Sequence, residues 1–149
     1  GEPLKREGEF FEKNLRDVEY QVILNQGLEA LKYEDIVLIN APFSREIRNP
    51  EWVKMMREKL QKEYNAVLAI IWVTCPIAVV HQRMVARNSP RDVYKLKDWD
   101  NYVASQNFST PTELYQEGDP YSLILFDNSN DATYEASMKR TIDLLEERN

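Results

Sequence analysis

The sequence contains few of the residues on which many binding and catalytic sites depend. Its 149 residues include one cysteine, one histidine and four glycines. A single cysteine excludes a disulfide framework within one chain, and together with a single histidine it argues against a zinc site built on those ligands. No two of the glycines, which are Gly1, Gly8, Gly27 and Gly118, have the spacing of a phosphate-binding loop or a dinucleotide fingerprint.

Long apolar runs and an excess of positive charge are also missing. The longest apolar run, over residues 66–73, is far too short to cross a membrane. The net charge of −6 disfavours nucleic acid as a partner, because that affinity comes largely from neutralised phosphates. No basic-then-apolar leader opens the chain, so we expect a cytoplasmic protein. A composition of 43% hydrophobic and 30% charged residues is typical of a soluble globular protein, here one domain over 1–149.

Short apolar runs alternate with stretches of helical spacing along the chain. Because the apolar residues of each run are consecutive, we expect strands that are buried on both faces, as in a parallel sheet. The expected fold class is therefore α/β, with ligands bound beyond the carboxyl ends of the strands. The predicted elements are a helix over 11–31, a strand over 36–39, a helix from Asn49, a strand over 67–73, a helix over 76–89, an irregular segment over 91–119, a strand over 122–126 and a helix capped by Asn130 or Asp131.

The loop after the first predicted strand carries two arginines. Arg45 and Arg48 are able to hold an anionic or phosphorylated substrate in a fork. The alternative is that they form surface ion pairs with Glu46 or Glu51, while Asn40 at the strand exit satisfies backbone groups in a turn. This segment leaves both interpretations open.

The strongest cluster of positive charge follows the second predicted strand. Arg83, Arg87 and Arg91 are spaced four residues apart, and 83–97 contains five basic residues against one acidic residue, Asp92. Arg83 and Arg87 share a helix face, and the proline at 90 ends that helix. Such a cluster in an acidic protein indicates a polyanionic ligand such as nucleotide phosphates. The alternative is a solvated helix face with ordinary salt bridges.

Three further features have a structural and a functional interpretation. Asp127, Asn128 and Asn130 follow the third predicted strand and are able to bind a nucleobase edge, although capping of the next helix explains them as well. His81 lies on the apolar side of its helix and is expected to be packed rather than catalytic. The aromatic residues of the irregular segment are expected to close a small satellite core or to stack on a base.

The segments in this order resemble the P-loop kinase superfamily over residues 15–147. The residues that carry the resemblance are Arg-x-x-x-Arg-x-x-x-Arg at 83–91 after the Thr-Cys-Pro strand end, the strand exit from Val37 to Arg45, and Asp-Asn-Ser at 127–129. More narrowly, the sequence is similar to the ATP-binding proteins grouped around gluconate kinase, chloramphenicol phosphotransferase and the zeta toxins.

The resemblance implies a role for each candidate residue. Lid arginines of that family contact ATP phosphates, the loop after the preceding strand faces the phosphoryl acceptor, and the last strand exit lies near adenine. The implied positions are Arg83, Arg87 and Arg91 in a lid over about 83–97, Arg45 and Arg48 for the acceptor, Asp127, Asn128 and Asn130 for adenine, and Asn40 for the metal. Asn40 stands where the family often has Asp, and a neutral amide is a poorer Mg²⁺ ligand than a carboxylate.

The sequence departs from the family by lacking its first strand, the G-x-x-x-x-G-K-[ST] loop, the helix after that loop and the second strand. The resemblance thus implies a three-layer parallel sheet truncated at the N-terminus. In the family strand order 2-3-1-4-5, removal of strand 1 leaves two strands about 9–10 Å apart, twice the usual spacing. We therefore expect a different strand pairing, association with another copy, or pairing with the missing N-terminal segment.

The predicted function is that of a fragment of an ATP-dependent small-molecule phosphotransferase. ATP and Mg²⁺ are expected in the intact parent, and no cofactor and no activity are expected for this chain alone. One alternative is a non-catalytic α/β module that binds a protein partner or an anion. Another is an anion-binding enzyme of a different α/β family, for which the sequence offers no convincing nucleophile or base.

Overall fold

A computed structural model describes residues 15–147 together with Gly8 and Phe10. The helices and strands among these residues follow in chain order. They are α1 (Arg16–Ala30), α2 (Pro50–Tyr64), β1 (Ile71–Thr74), α3 (Ile77–Arg87), α4 (Val93–Lys97), α5 (Trp99–Ser105), β2 (Ile124–Asp127) and α6 (Asp131–Glu146), with 3₁₀ turns at Pro90–Asp92 and Thr112–Leu114.

The two strands form one parallel sheet. Ile71 lies opposite Ile124, and Thr74 lies opposite Asp127 at the carboxyl ends. The prediction of a mixed α/β fold with parallel strands is confirmed, and both strands overlap the predicted apolar runs. The expected burial on both faces is wrong, because Val73 of β1 and Leu125 of β2 are exposed. The larger three-layer sheet implied by the resemblance is not seen in the described part of the chain, where the sheet has only β1 and β2.

The prediction of a buried strand over 36–39 is wrong. This segment has no regular secondary structure, and Ile36 and Ile39 are exposed while Leu38 is 75% exposed. A strand exists only where a neighbouring strand accepts and donates its backbone hydrogen bonds. Among the described residues, no backbone hydrogen bond joins residues 35–40 to any other segment, so the apolar pattern alone does not produce a strand.

The segment over 36–39 lies instead against α1. Gly27 on α1 is buried, and a Cβ atom added there would lie 2.5 Å from Cδ1 of Ile39. The missing side chain of Gly27 therefore allows the close approach of Ile39 to the helix. Val18 and Val22, whose spacing predicted a helix here, are exposed. Phe11, where that spacing begins, lies outside the described residues.

The loop that precedes α2 is fixed to both flanking helices by aromatic contacts. The Tyr20 ring meets Phe43 edge-on with centroids 5.0 Å apart, and Phe43 stacks on Trp52 at 6.2 Å. The Tyr20 hydroxyl donates a hydrogen bond to the Pro42 carbonyl at 3.1 Å. These contacts hold the loop carrying Arg45 in one position relative to α1 and α2.

Helix α2 begins and packs as the sequence predicts. The Asn49 side chain accepts hydrogen bonds from the backbone N–H groups of Glu51 and Trp52, and Pro50 occupies the first turn. Val53 on this helix packs with Ile70 and Leu114 in the buried core. The core therefore joins α2, the start of β1 and the second 3₁₀ turn.

Helices α3 and α5 meet through aromatic rings. His81 and Trp99 have ring centroids 4.5 Å apart, and Trp99 lies 5.5 Å from Tyr102. The expectation that His81 is packed is thus confirmed. Trp99 and Tyr102 form a small cluster with it, whereas Phe108 and Tyr115 of the segment over 91–119 are exposed. Across the described residues, none of the helices is both long and apolar enough to cross a membrane.

Candidate functional site

The carboxyl ends of β1 and β2 bring together residues that lie more than fifty positions apart. Because the two strands are parallel and in register at Thr74 and Asp127, the loops that follow them leave the sheet side by side. The Asn128 N–H donates to the Thr74 carbonyl at 2.9 Å, which continues the strand pairing by one residue. This edge is where open α/β sheets bind their ligands.

Arg83 connects α3 to the loop after β2. Its Nη1 donates to the Asn128 carbonyl at 2.7 Å, and its Nη2 lies 3.5 Å from the Ser129 carbonyl. The same Nη1 lies 3.6 Å from Sγ of Cys75, the residue after β1. A predicted lid arginine and the predicted adenine-side loop are therefore in direct contact.

Asp127 is held as a carboxylate by the turn that follows it. Its Oδ1 accepts hydrogen bonds from the Ser129 hydroxyl and from the Ser129 N–H, the latter at 2.9 Å. These bonds, the hydroxyl first, lower the pKa of Asp127 below its ordinary value because they stabilise the charged form. The backbone N–H of Asp127 donates to the buried Ser137 hydroxyl of α6 at 3.0 Å.

Asn130 caps α6, as the sequence predicts. Its side chain accepts from the Thr133 N–H at 3.0 Å, and its own N–H donates to the Thr133 hydroxyl at 3.2 Å. This reciprocal capping box fixes the side chain of Asn130 at the helix start. The Asn128 contacts described above use its backbone. A nucleobase role for Asp127, Asn128 and Asn130 stays a prediction.

Arg87 is held by a carboxylate five residues further along the chain. Its Nε and Nη2 lie 3.0 and 2.6 Å from Oδ2 of Asp92. The Asp92 side chain is 1% exposed, whereas the Arg87 side chain is 47% exposed. The ion pair therefore joins the end of α3 to the turn Pro90–Asp92 and positions Arg91, which is exposed in that turn.

The predicted acceptor-side residues have other neighbours. Arg48 donates from Nη1 to the Ser109 hydroxyl at 3.4 Å and from Nη2 to the Ser109 carbonyl, and its guanidinium lies 5.2 Å from the Trp72 ring centre. Arg45 is exposed and helps to lower the pKa of Glu46. Asn40, directly after the segment over 36–39, is exposed. No hydrogen bond between described residues joins Asn40 or Arg48 to the Arg83 contacts.

Sequence reasoning missed two residues that organise this edge. Ser129 was named only as part of a motif, although an Asp followed two residues later by Ser is a common local turn. Asp92 was counted as the one acidic residue of a basic segment, and its burial beside Arg87 depends on the turn at Pro90–Asp92. The spacing of Asp127 and Ser129 could have predicted the role of Ser129, whereas nothing in the local sequence predicts the burial of Asp92.

The function of this site cannot be read from a metal cluster among the described residues or from a known relative of the chain. The described residues contain no group of three or more His, Cys, Asp or Glu side chains placed to hold a metal ion. A comparison of the chain with protein-family models, curated proteins and solved structures found no match. The contacts within the chain are therefore the evidence for its function.

Proposed function

We propose that this chain is part of an ATP-dependent small-molecule phosphotransferase of the P-loop kinase type, with its phosphate loop supplied from outside these residues. The supporting observation is the arrangement of the apolar segments. The second and third predicted strands pair in parallel, while the first stays exposed without a strand partner. A sheet of the order 2-3-1-4-5 that lacks strands 1 and 2 would keep strands 4 and 5 paired and would leave strand 3 without a neighbour in this way.

A second observation concerns the nucleotide side of the site. Arg83 binds the carbonyls of Asn128 and Ser129, so α3 and the loop after β2 form one unit at the carboxyl edge of the sheet. In the proposal, Arg83 is a positioning residue for the base-side loop. Its contacts with backbone carbonyls make it a weaker candidate than Arg91 for direct contact with phosphate.

The arginines of the proposed lid then have separate tasks. Arg87 holds Asp92 and thereby fixes the turn that carries Arg91. Arg91 has no hydrogen-bond or ion-pair partner among the described residues, and its charge is available to a transferring phosphoryl group. Arg45 and Arg48 stay the proposed residues for the acceptor.

The residues of this chain fit only part of a nucleotide site. They offer the base-side loop and a lid arginine, but no glycine-rich backbone loop and, among the described residues, no carboxylate cluster for Mg²⁺. When bound, Mg²⁺–ATP would supply the phosphoryl group. The amides that hold the phosphates and the ligands of the metal would have to come from the segment that carries the phosphate loop.

The test uses the full product of the gene that encodes these residues. Its intact mass, native and denatured, shows whether additional chain or a bound fragment is present. ADP release with a panel of small acceptors is then measured for the natural protein, Arg91→Ala and the control Lys62→Gln, an exposed position of α2 outside the lid. We expect Arg91→Ala to lower kcat at least about a hundredfold, since a phosphate-contacting arginine contributes that much or more, and Lys62→Gln to leave it unchanged.

Two outcomes would overturn parts of the proposal separately. A full product that neither contains a phosphate loop nor binds ATP would reject the phosphotransferase function and favour a binding module. Phosphoryl transfer that is unaffected by Arg91→Ala would keep the enzyme class but reject the lid role of Arg91.

A further inference from the structure

Two hydroxyl residues of the chain are followed directly by a proline. They are Ser89 before Pro90 and Thr110 before Pro111. Pro90 is exposed in the structure, whereas Pro111 is fully buried. Proline-directed protein kinases modify Ser-Pro and Thr-Pro pairs, and such a kinase has to contact the proline as well as the hydroxyl. The fold therefore presents the pair at 89–90 to such an enzyme and withdraws the pair at 110–111.

The backbone at Ser89 has the extended conformation in which protein kinases bind their substrates. Its φ is −85° and its ψ is 136°. Pro90 favours this conformation, because the proline ring excludes the α region at the residue before it. The Ser89 side chain has no hydrogen-bond partner among the described residues, although its carbonyl accepts from the Asp92 N–H at 2.9 Å. The hydroxyl is therefore not committed to a structural contact.

Two arginines flank Ser89 with donors that no described residue uses. Arg87, two positions before it, holds Asp92 through Nε and Nη2, so its Nη1 has no such partner. Arg91, two positions after it, is exposed and also lacks one. A phosphate beside arginine donors forms charge-assisted hydrogen bonds with them. A phosphate on Ser89 is thus able to pair with both arginines while Arg87 keeps its contact with Asp92.

We propose that Ser89 is a phosphorylation site, modified by a proline-directed protein kinase that uses ATP. In this step the hydroxyl oxygen of Ser89 forms a bond to the γ-phosphorus of ATP. The bond between that phosphorus and the bridging oxygen to the β-phosphate breaks, so ADP leaves. The hydroxyl proton passes to the catalytic base of the kinase. The new phosphate then pairs with Arg87 and Arg91.

The effect of this modification on the lid rests on the proposed phosphotransferase function. Arg91 is the lid residue whose charge is available to a transferring phosphoryl group, and a phosphate on Ser89 occupies that charge from within the chain. The modification is therefore inhibitory in the proposed enzyme. The modification itself depends only on Ser89, its proline and the flanking arginines.

The direct test treats the full gene product with ATP and a purified mitogen-activated protein kinase, which is proline-directed. Peptide mass spectrometry locates the phosphate. We expect it on Ser89 and not on Thr110, because Pro111 is buried. A synthetic peptide of residues 105–115 is the matched control, since Thr110-Pro111 is accessible there and should be modified. Absence of phosphate from Ser89, or equal modification of Thr110 in the folded protein, would overturn the proposal.

A second measurement tests the pairing with Arg91. The second pKa of phosphoserine is about 6, and nearby arginines lower it because they stabilise the dianion. Phosphorus NMR during a pH titration should show a lower pKa in the phosphorylated protein than in a phosphopeptide of residues 85–95 with both arginines replaced by glutamine. We expect Arg91→Ala to raise it again, and Lys62→Gln, at an exposed position of α2, to leave it unchanged. Equal pKa values in protein and peptide would contradict the pairing.

The regulatory effect is measured as ADP release before and after stoichiometric phosphorylation. We expect kcat to fall at least about tenfold, since the arginine that the phosphate occupies contributes more than that. Ser89→Ala should lose no activity on kinase treatment. An unchanged kcat in the phosphorylated natural protein would reject the effect on the lid. A full product that binds no ATP would reject the proposed function and this effect together, while mass spectrometry alone decides whether Ser89 is modified.

Discussion

The side chains of Arg16 and Glu46 form a two-pronged ion pair across thirty residues of sequence. Nη1 of Arg16 lies 2.8 Å from Oε1 of Glu46, and Nη2 lies 3.1 Å from Oε2. The Arg16 side chain is 7% exposed, and its guanidinium lies 4.2 Å from the centre of the Tyr20 ring. This pair ties α1 to the loop that carries Arg45.

Glu46→Gln tests the contribution of this pair to stability. The variant replaces the carboxylate that faces the buried guanidinium of Arg16 with a neutral amide, and we expect it to lower the free energy of unfolding by about 2 kcal/mol. Asp17→Asn is the control, because Asp17 also lies near Arg16 but its side chain is 89% exposed. That control should change stability by less than about 0.5 kcal/mol. Urea denaturation measures both, and equal losses would contradict the assignment.

The same pair predicts a dependence of stability on pH. Burial raises the pKa of Glu46, but the hydrogen bonds from Arg16 and its own backbone, with the charges of Arg16 and Arg45, outweigh burial and lower it below the ordinary 4.5. A lowered pKa in the folded state contributes stability above the unfolded pKa, and this is lost as pH falls through the folded value. The stability difference between the natural protein and Glu46→Gln should therefore be constant at neutral pH and shrink below 4.5. A difference that grows on acidification would contradict it.

Arg87→Ala tests the ion pair at the end of α3. It leaves the carboxylate of Asp92, 1% exposed, buried without its cation. We expect a loss of about 3 kcal/mol, since removal of one partner of a buried pair strands the other charge. Arg91→Ala, at the exposed position directly after Pro90, should cost less than about 0.5 kcal/mol. Thermal and urea unfolding distinguish the two, and a stable Arg87→Ala protein would show that Asp92 has another partner.

Ser129→Ala tests the turn after β2. Removal of the hydroxyl removes the main hydrogen bond that lowers the pKa of Asp127, so this pKa should rise. Carboxyl ¹³C NMR during a pH titration measures it, with Asp131 as a reference group in the same spectrum. No change at Asp127, or an equal change at Asp131, would refute the role of Ser129.

Leu38→Lys tests the exposed apolar segment. Leu38 is 75% exposed, so the substitution should change the stability of this chain by less than about 0.5 kcal/mol. Leu60→Ala is the contrasting control, because Leu60 is 6% exposed in α2 and its truncation should cost about 3 kcal/mol. In a longer gene product that pairs a strand with this segment, Leu38→Lys should become destabilising. Circular dichroism during urea denaturation measures the free energy of unfolding for Leu38→Lys in this chain, for Leu60→Ala, and for Leu38→Lys in the longer gene product.

The amino-acid sequence by itself determined the features whose causes are local. Asn49 and Pro50 start α2, and Asn130 with Thr133 starts α6, because capping uses side chains within three residues of the backbone groups they satisfy. Helical spacing likewise placed Val53 in the core and His81 on a packed face of its helix, although it did not identify Trp99 as the neighbour of His81. The parallel relation of β1 and β2 followed from doubly apolar runs separated by helices.

Only the tertiary structure decided which distant groups meet. The run over 36–39 has the composition of a buried strand, but strand formation depends on a neighbouring strand that the described chain does not provide. The contacts of Arg83 with Asn128 and of Arg87 with buried Asp92 likewise depend on how separate segments pack. Side-chain spacing along the sequence carries no information about such partners.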